Sequence, residues 1–252
     1  MRTIMTWTPK IKHGKSVPLM NRIKEKCLGH FVPLENLSYD ESMIRYYGLH
    51  NCKQFIHVKP IRFGYKMWYL NTSDGYLVNF DLYQGKHPHG NESYGALFGK
   101  SSSPLVLMLE ELPEKNLSYS IHIDNLFTGL DLLSYLKHLG YNGIGTIRDN
   151  RISKSCPLVN KQEFAKKERG AIQHVLDKND GIILVRWKDN AVVTMASTIA
   201  GVSPMGNVRR YSQQEKRHIQ VNRPFCIEQY NNHMMDQSVA AYRINIRSKK
   251  WY

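Results

Sequence analysis

Hydrophobic and polar positions change their period several times along the chain, and each change predicts an element. From Val17 onward the run PLMNRIKEKCLGHF sets Leu19, Ile23, Cys27 and Leu28 on one stripe, which predicts a helix ending near Gly29. Pro18 suits its first turn, where no backbone donor is missed. The segment LSYDESMIRYYG then alternates loosely and predicts a strand with Asp40 in mid-run. Two aromatic and β-branched runs follow in IRFGYKMWYLNTSDGYLVNFDLYQG, joined at Thr72-Ser73-Asp74-Gly75. Asp-Gly between such runs predicts a hairpin, because glycine takes a left-handed position at little cost.

Residues 87–104 (HPHGNESYGALFGKSSSP) are rich in Gly, Ser and Pro and read as a loop. A strand is expected at about 117–123, then a helix at about 128–138 with leucines at 130, 132, 133 and 136 and a cap at Gly140. The next strand lies in GIGTIRD. Strand, helix and strand within about thirty residues make a right-handed parallel crossover. Asp124 falls where the first of these strands ends, the edge at which open α/β sheets place ligand chemistry. Residues 150–180 read as basic and irregular, and 181–201 as a hairpin turning at Lys188-Asp189-Asn190. A helical stretch closes the chain, PFCIEQYNNHMMDQSVAAYRI, with Ile227, Tyr230, Met234 and Gln237 on one face. The fold class is α/β.

With 252 residues the chain is long enough to bury a substantial core, and at 42% hydrophobic and 22% charged it is not a disordered chain. The longest apolar runs, at 105–109 and 182–185, fall far short of the roughly 18 residues of a membrane helix. The first residues contain no apolar segment of the secretory type. Four scattered cysteines, Cys27, Cys52, Cys156 and Cys226, form no CxxC pair, so neither a disulfide framework nor a zinc site is expected. The charge does change the picture. A surplus of +14, spread along the chain, calls for a polyanionic partner, and nucleic acid is the commonest.

Familiar catalytic signatures are absent: Gly143 and Gly145 lack the third glycine of a dinucleotide fingerprint, since position 148 is Arg. What remains is a pair of carboxylates in β-rich surroundings. An aspartate within a strand is disfavoured and costly if buried unpaired, so Asp40 and Asp124 each need a partner: a turn amide, a helix to cap, an arginine or a metal. If their strands are neighbours, the two form a hard oxygen pair suited to Mg²⁺ or Mn²⁺, the setting of phosphodiester chemistry. His87-Pro88-His89 reads as a solvated turn, and Tyr65, Trp68, Tyr76 and Phe80 as sheet core. Lys59, Arg62 and Lys66 are either a solvated edge or phosphate contacts beside the carboxylates.

Five segments carry a more specific likeness: ENLSYDESMIRYYG, KPIRFGYKMWYLNTSDGYLVNFDLYQGK, HIDNLFTGLDLLSYLKHLGYNGIGTIRDNR, VRWKDNAVVTMAST and YRINIRSKKWY. In order and spacing they resemble the DDE catalytic domain of a piggyBac-type transposase over about residues 17–252. The resemblance implies an RNase H-like mixed sheet with a β-rich insertion and a short N-terminal helical lead-in. Its boundaries would be 1–30 for the basic segment and helix, 31–149 for the first part of the core, 150–202 for the insertion and 203–252 for the closing helical part. It further implies cut-and-paste transposition at TTAA sites through hairpin intermediates, with three aspartates holding Mg²⁺ or Mn²⁺. Asp40 matches the first and Asp124 the second. The third belongs to a Gly-Gly-Val-Asp segment that is missing between Tyr230 and Asp236, so Asp236 aligns with a later, auxiliary aspartate. Other departures are Leu49 after Gly48, and His57-Val58 where Arg-Gly is usual. The family's N-terminal DNA-binding region and cysteine-rich zinc module are not expected here. The reading is a transposon-derived protein impaired by loss of the third aspartate but retaining a DNA-binding or protein-interaction role. Its alternative is an active Mg²⁺-dependent nuclease core. Expected partners are DNA and a second copy of the chain, with no membrane and no small-molecule cofactor; the expected location is the nucleus.

Overall fold

The structure is a computed structural model that describes residues 17–57, 61–85 and 92–234. Helix α1 (Val17–Gly29) leads into β1 (Asn36–Arg45), the short β2 (Gln54–Phe55), and the hairpin β3 (Phe63–Thr72) and β4 (Leu77–Leu82). Helices α2 (Glu92–Phe98) and α3 (Ser103–Glu110) precede β5 (Ser120–Ile123), α4 (Leu130–His138) and β6 (Asn142–Thr146). After a 3₁₀ turn at Asp149–Arg151 come α5 (Lys161–Phe164), β7 (Ile172–Asp177), β8 (Ile182–Lys188) and β9 (Val192–Ser197). The hairpin β10 (Gly206–Ser212) and β11 (Arg217–Arg223) is followed by α6 (Phe225–His233).

Nine of the described strands form one mixed sheet, in the order β2-β3-β1-β5-β6-β9-β8-β7 with β4 also paired to β3. Its centre is the parallel trio β1, β5 and β6, and antiparallel hairpins extend it on both sides. All four positions of β5 are buried, as a strand covered on both faces requires. On one face Leu37, Tyr39, Ile121 and Ile123 pack against leucines of α3 and α4. A second apolar cluster joins Ile144, Val185 and Met195 to Cys226 and Ile227 of α6. The turn between β3 and β4 is the anticipated one, with Gly75 at φ 98°.

Three segments differ from expectation, each for a local reason. Residues 92–98 and the start of α3 are helical where a loop was expected. Pro104 sits in the first turn of α3, where proline starts a helix rather than breaking one, and Leu105, Val106, Met108 and Leu109 then pack inward. The stretch 150–180 contains α5 and β7; the outer strand β7 is largely exposed, so its sequence lacks a buried alternation. Residues 206–223 form the β10–β11 hairpin where only closing helix was expected, since Arg210, on the inner face and bonded to Asp189, interrupts the apolar half of the period of two. Within 150–202, strands β7 to β9 continue the main sheet through β6. Trp68 and Phe80 are core residues as expected, but Tyr76 is exposed, stacked on Phe31 and donating to the Cys27 carbonyl at 2.7 Å. Lys59, His87, His89, Asp236 and Gln237 lie outside the described residues.

Candidate active site

Register builds the site. Tyr39 on β1 lies opposite Ile123 on β5, and Ile123 lies opposite Gly145 on β6. The residues that follow, Asp40, Asp124 and Thr146, therefore form one row across three neighbouring strands, on the face away from Tyr39 and Ile123. Adjacent strands stand about 4.8 Å apart, so the two aspartates stand side by side. Both are half-buried. Asp40 Oδ1 accepts from the Glu41 amide at 2.7 Å, and Asp124 Oδ2 accepts from the Leu126 amide at 3.3 Å. Asp124 thus braces the turn after β5. It does not cap α4, whose N-cap position is Gly129 and carries no side-chain bond.

Helix α6 packs across β1, β6 and β9 and closes this face. Its Tyr230 phenol shares a hydrogen bond with Thr146 and feels the charge of Asp124 and, less, of Asp40. Burial first, and then those two carboxylates, hold the phenol well above its ordinary pKa, so Tyr230 stands beside the pair as a neutral hydroxyl. One residue pair deeper, His122 is buried with Nε2 3.0 Å from Asn36 Oδ1, and its ring centroid is 5.1 Å from that of His233 on α6. Burial, aided by His233, pushes the His122 imidazole down to about 3. A free imidazole titrates near 6.5, so below that pH the unfolded chain takes up a proton that the folded chain refuses. The stability contributed by the neutral ring is therefore complete above about pH 6.5 and drains away as pH falls toward 3. Between pH 7 and pH 5 the loss is about 2 kcal/mol. Urea unfolding at both pH values should show this loss, and His122→Gln should abolish most of it; an equal loss in the variant would assign the pH effect to other groups.

Arginines clamp the turn that carries Asp124. Arg151 donates to the carbonyls of Leu126 and Thr128, both at 2.6 Å, and Arg148 donates to Asn125 Oδ1 at 3.0 Å. Of the basic residues singled out in the sequence, Arg62 is exposed, whereas Lys66 is turned inward. Its ammonium lies 2.9 Å from Glu41 and 4.3 Å above the Trp68 ring, which removes it from the phosphate-facing candidates. The sequence alone assigns Tyr230, Arg148 and Arg151 no role beside the aspartates. The only sequence signal was an arginine pair three residues apart just after a strand, with nothing to tie it to Asp124.

Two carboxylates suit a hard divalent cation in kind. Among the described residues no group of three or more His, Cys, Asp or Glu side chains could hold a metal ion. Glu228, the acidic residue of α6, is 2.7 Å from Arg223.

The sheet order β4-β3-β1-β5-β6, with Asp40 on β1 and Asp124 just past the end of β5, is an RNase H-like α/β fold. The family described as Transposase IS4 matches residues 5–252. Human PiggyBac transposable element-derived protein 3 is 42% identical over 97% of this chain and 41% of its own length. Human PiggyBac transposable element-derived protein 2 is 34% identical over 96% of the chain and 41% of its own length. The chain thus spans about two-fifths of these relatives. In fold it is similar to a piggyBac transposase solved by cryo-EM in a synaptic complex with hairpin DNA, at TM-score 0.62 and 17% identity, over 94% of this chain and 46% of that one. The chain belongs to the piggyBac transposase family. Among its described residues no helix is long and apolar enough to cross a membrane.

Proposed function

We propose that this chain is the RNase H-like part of a piggyBac-derived transposase that keeps DNA binding but is impaired in metal-dependent strand cleavage. One observation carries the reading. Helix α6 lies over Asp40 and Asp124, and what it presents to them is the neutral hydroxyl of Tyr230. A divalent ion held by such carboxylates stabilises the attacking and leaving oxygens at phosphorus. Asp40 and Asp124 would be its ligands. A missing third carboxylate removes both a donor and a charge, while even outer-shell changes cost about 10–100-fold in metal affinity. The DNA-binding half rests on the charge of +14, on the arginines beside Asp124, and on the hairpin DNA bound by the solved relative. Nuclear residence and a homodimer go with this reading.

The expected result is that the chain binds duplex DNA with a steep salt dependence yet neither nicks nor joins transposon-end DNA with Mg²⁺ or Mn²⁺. Arg62→Ala should weaken binding to all duplexes alike. Metal-dependent nicking that disappears in Asp40→Ala, Asp124→Ala and Asp236→Ala would overturn the impaired reading. It would establish the alternative, an active nuclease core with Asp236 as third ligand.

A further inference from the structure

The hairpin β10–β11 stands apart from the main sheet as a separate two-stranded ribbon. Its rungs pair Asn207 with Asn222, Arg209 with Gln220 and Tyr211 with His218. The period of two sets these six side chains on one face, and all six are exposed. Every one ends in a planar or aromatic hydrogen-bonding group, and the face holds no carboxylate. An ordinary solvated strand face mixes in Lys, Glu and Thr; this one does not.

The opposite face is fastened to the body of the protein. Val208, Ile219 and Val221 enter the second core cluster, and Trp187 Nε1 donates to the Asn222 carbonyl at 2.8 Å. Arg210 Nε donates to Asp189 at 2.9 Å, while Arg169 reaches both Asp189 and the Tyr211 carbonyl. The ribbon is therefore presented as a rigid blade. Its surroundings are basic, and the nearby acids are engaged: Glu215 lies 2.6 Å from Arg217 and Glu228 2.7 Å from Arg223.

The dimensions match one ligand surface. A two-stranded ribbon fits the major groove of B-DNA, about 12 Å wide. Rungs on one face recur every ~6.8 Å, twice the 3.4 Å rise of a base pair, so three rungs cover about four or five base pairs. Arginine pairs with guanine, and asparagine and glutamine pair with adenine, through two hydrogen bonds each. We propose that the β10–β11 ribbon lies in the major groove of duplex DNA and reads base edges, Arg209 taking guanine and Asn207, Gln220 and Asn222 taking adenine. This assignment rests on the DNA-binding reading above and adds sequence recognition to it.

The test is selection from a random duplex library by the full chain, then titration of the selected and of unrelated duplexes at about 150 mM salt. The expected result is a motif of about four or five base pairs. Arg209→Ala should lose at least about tenfold in affinity for that motif and less than about threefold for unrelated DNA. An Asn207→Ala/Gln220→Ala double variant should shift the preferred bases, with unchanged thermal unfolding in both variants. Duplex binding without any preference, or a motif that survives in both variants, would overturn the ribbon assignment and leave DNA binding standing. Absence of duplex binding by the unaltered chain at low salt would overturn both.

Discussion

Asp149→Ala should lower the unfolding free energy by about 3–5 kcal/mol, although the residue lies at the surface. The reason is its partner. Arg186 on β8 is 3% exposed, and its guanidinium ties three segments together: Nη2 is 3.0 Å from Asp149 Oδ1, Nε donates to Thr194 Oγ1 at 3.1 Å, and Nη1 donates to the Val159 carbonyl. Arginine cannot shed its proton, so removing the carboxylate strands a cation in the core. Arg186→Met strands only a carboxylate whose side chain is 39% exposed, and water solvates it. That variant should cost roughly half as much. At about 2–4 °C per kcal/mol for a domain of this size, the first change should lower Tm by about 10 °C. Urea unfolding of both variants checks the ranking; a larger loss for Arg186→Met would mean that packing of the side chain, and not the stranded charge, dominates.

Gly145→Ala should destabilise by about 3 kcal/mol, where strand propensity alone predicts a gain. A Cβ at Gly145 would overlap the Ile123 carbonyl oxygen and the Thr128 hydroxyl, and these cannot yield. Thr128 Oγ1 is held by the carbonyls of Ile123 and Asp124 at 3.2 and 3.0 Å. Relief would push β6 away from β5 at the level of Asp40 and Asp124. Thermal unfolding of the alanine variant decides; a Tm equal to or above that of the unaltered chain would show that the strands separate at no cost.

The two glycines of Gly143-Ile-Gly145 illustrate what is legible locally and what is not. As a dinucleotide fingerprint they fail on the missing third glycine, and that exclusion needs only the sequence. Why glycine stands there at all becomes visible when β5, β6 and α4 are brought together: the space beside Gly143 is taken by Leu133 and that beside Gly145 by Ile123 and Thr128. Lys66 teaches the same lesson about charge. In sequence it is one basic residue at the start of a hairpin, but pairing of β1 with β3 turns it onto Glu41. The helix at 103–110 was hidden for a different reason, because Ser-Ser-Ser-Pro reads as a breaker until proline is given its place in the first turn.

Hydrophobic period, turn chemistry and capping act over a few neighbouring residues, so the sequence by itself determined α1, the β3–β4 and β8–β9 hairpins and the β5–α4–β6 crossover. It also placed Asp40 within a strand and Asp124 where a strand ends. Register between strands separated by 84 positions is not a local property. Only the tertiary structure aligned Asp40, Asp124 and Thr146 in one row, laid Tyr230 of α6 beside them, and turned six polar side chains of β10–β11 to one exposed face. Such alignment follows from which apolar faces bury against each other, and that choice is made by the whole core at once.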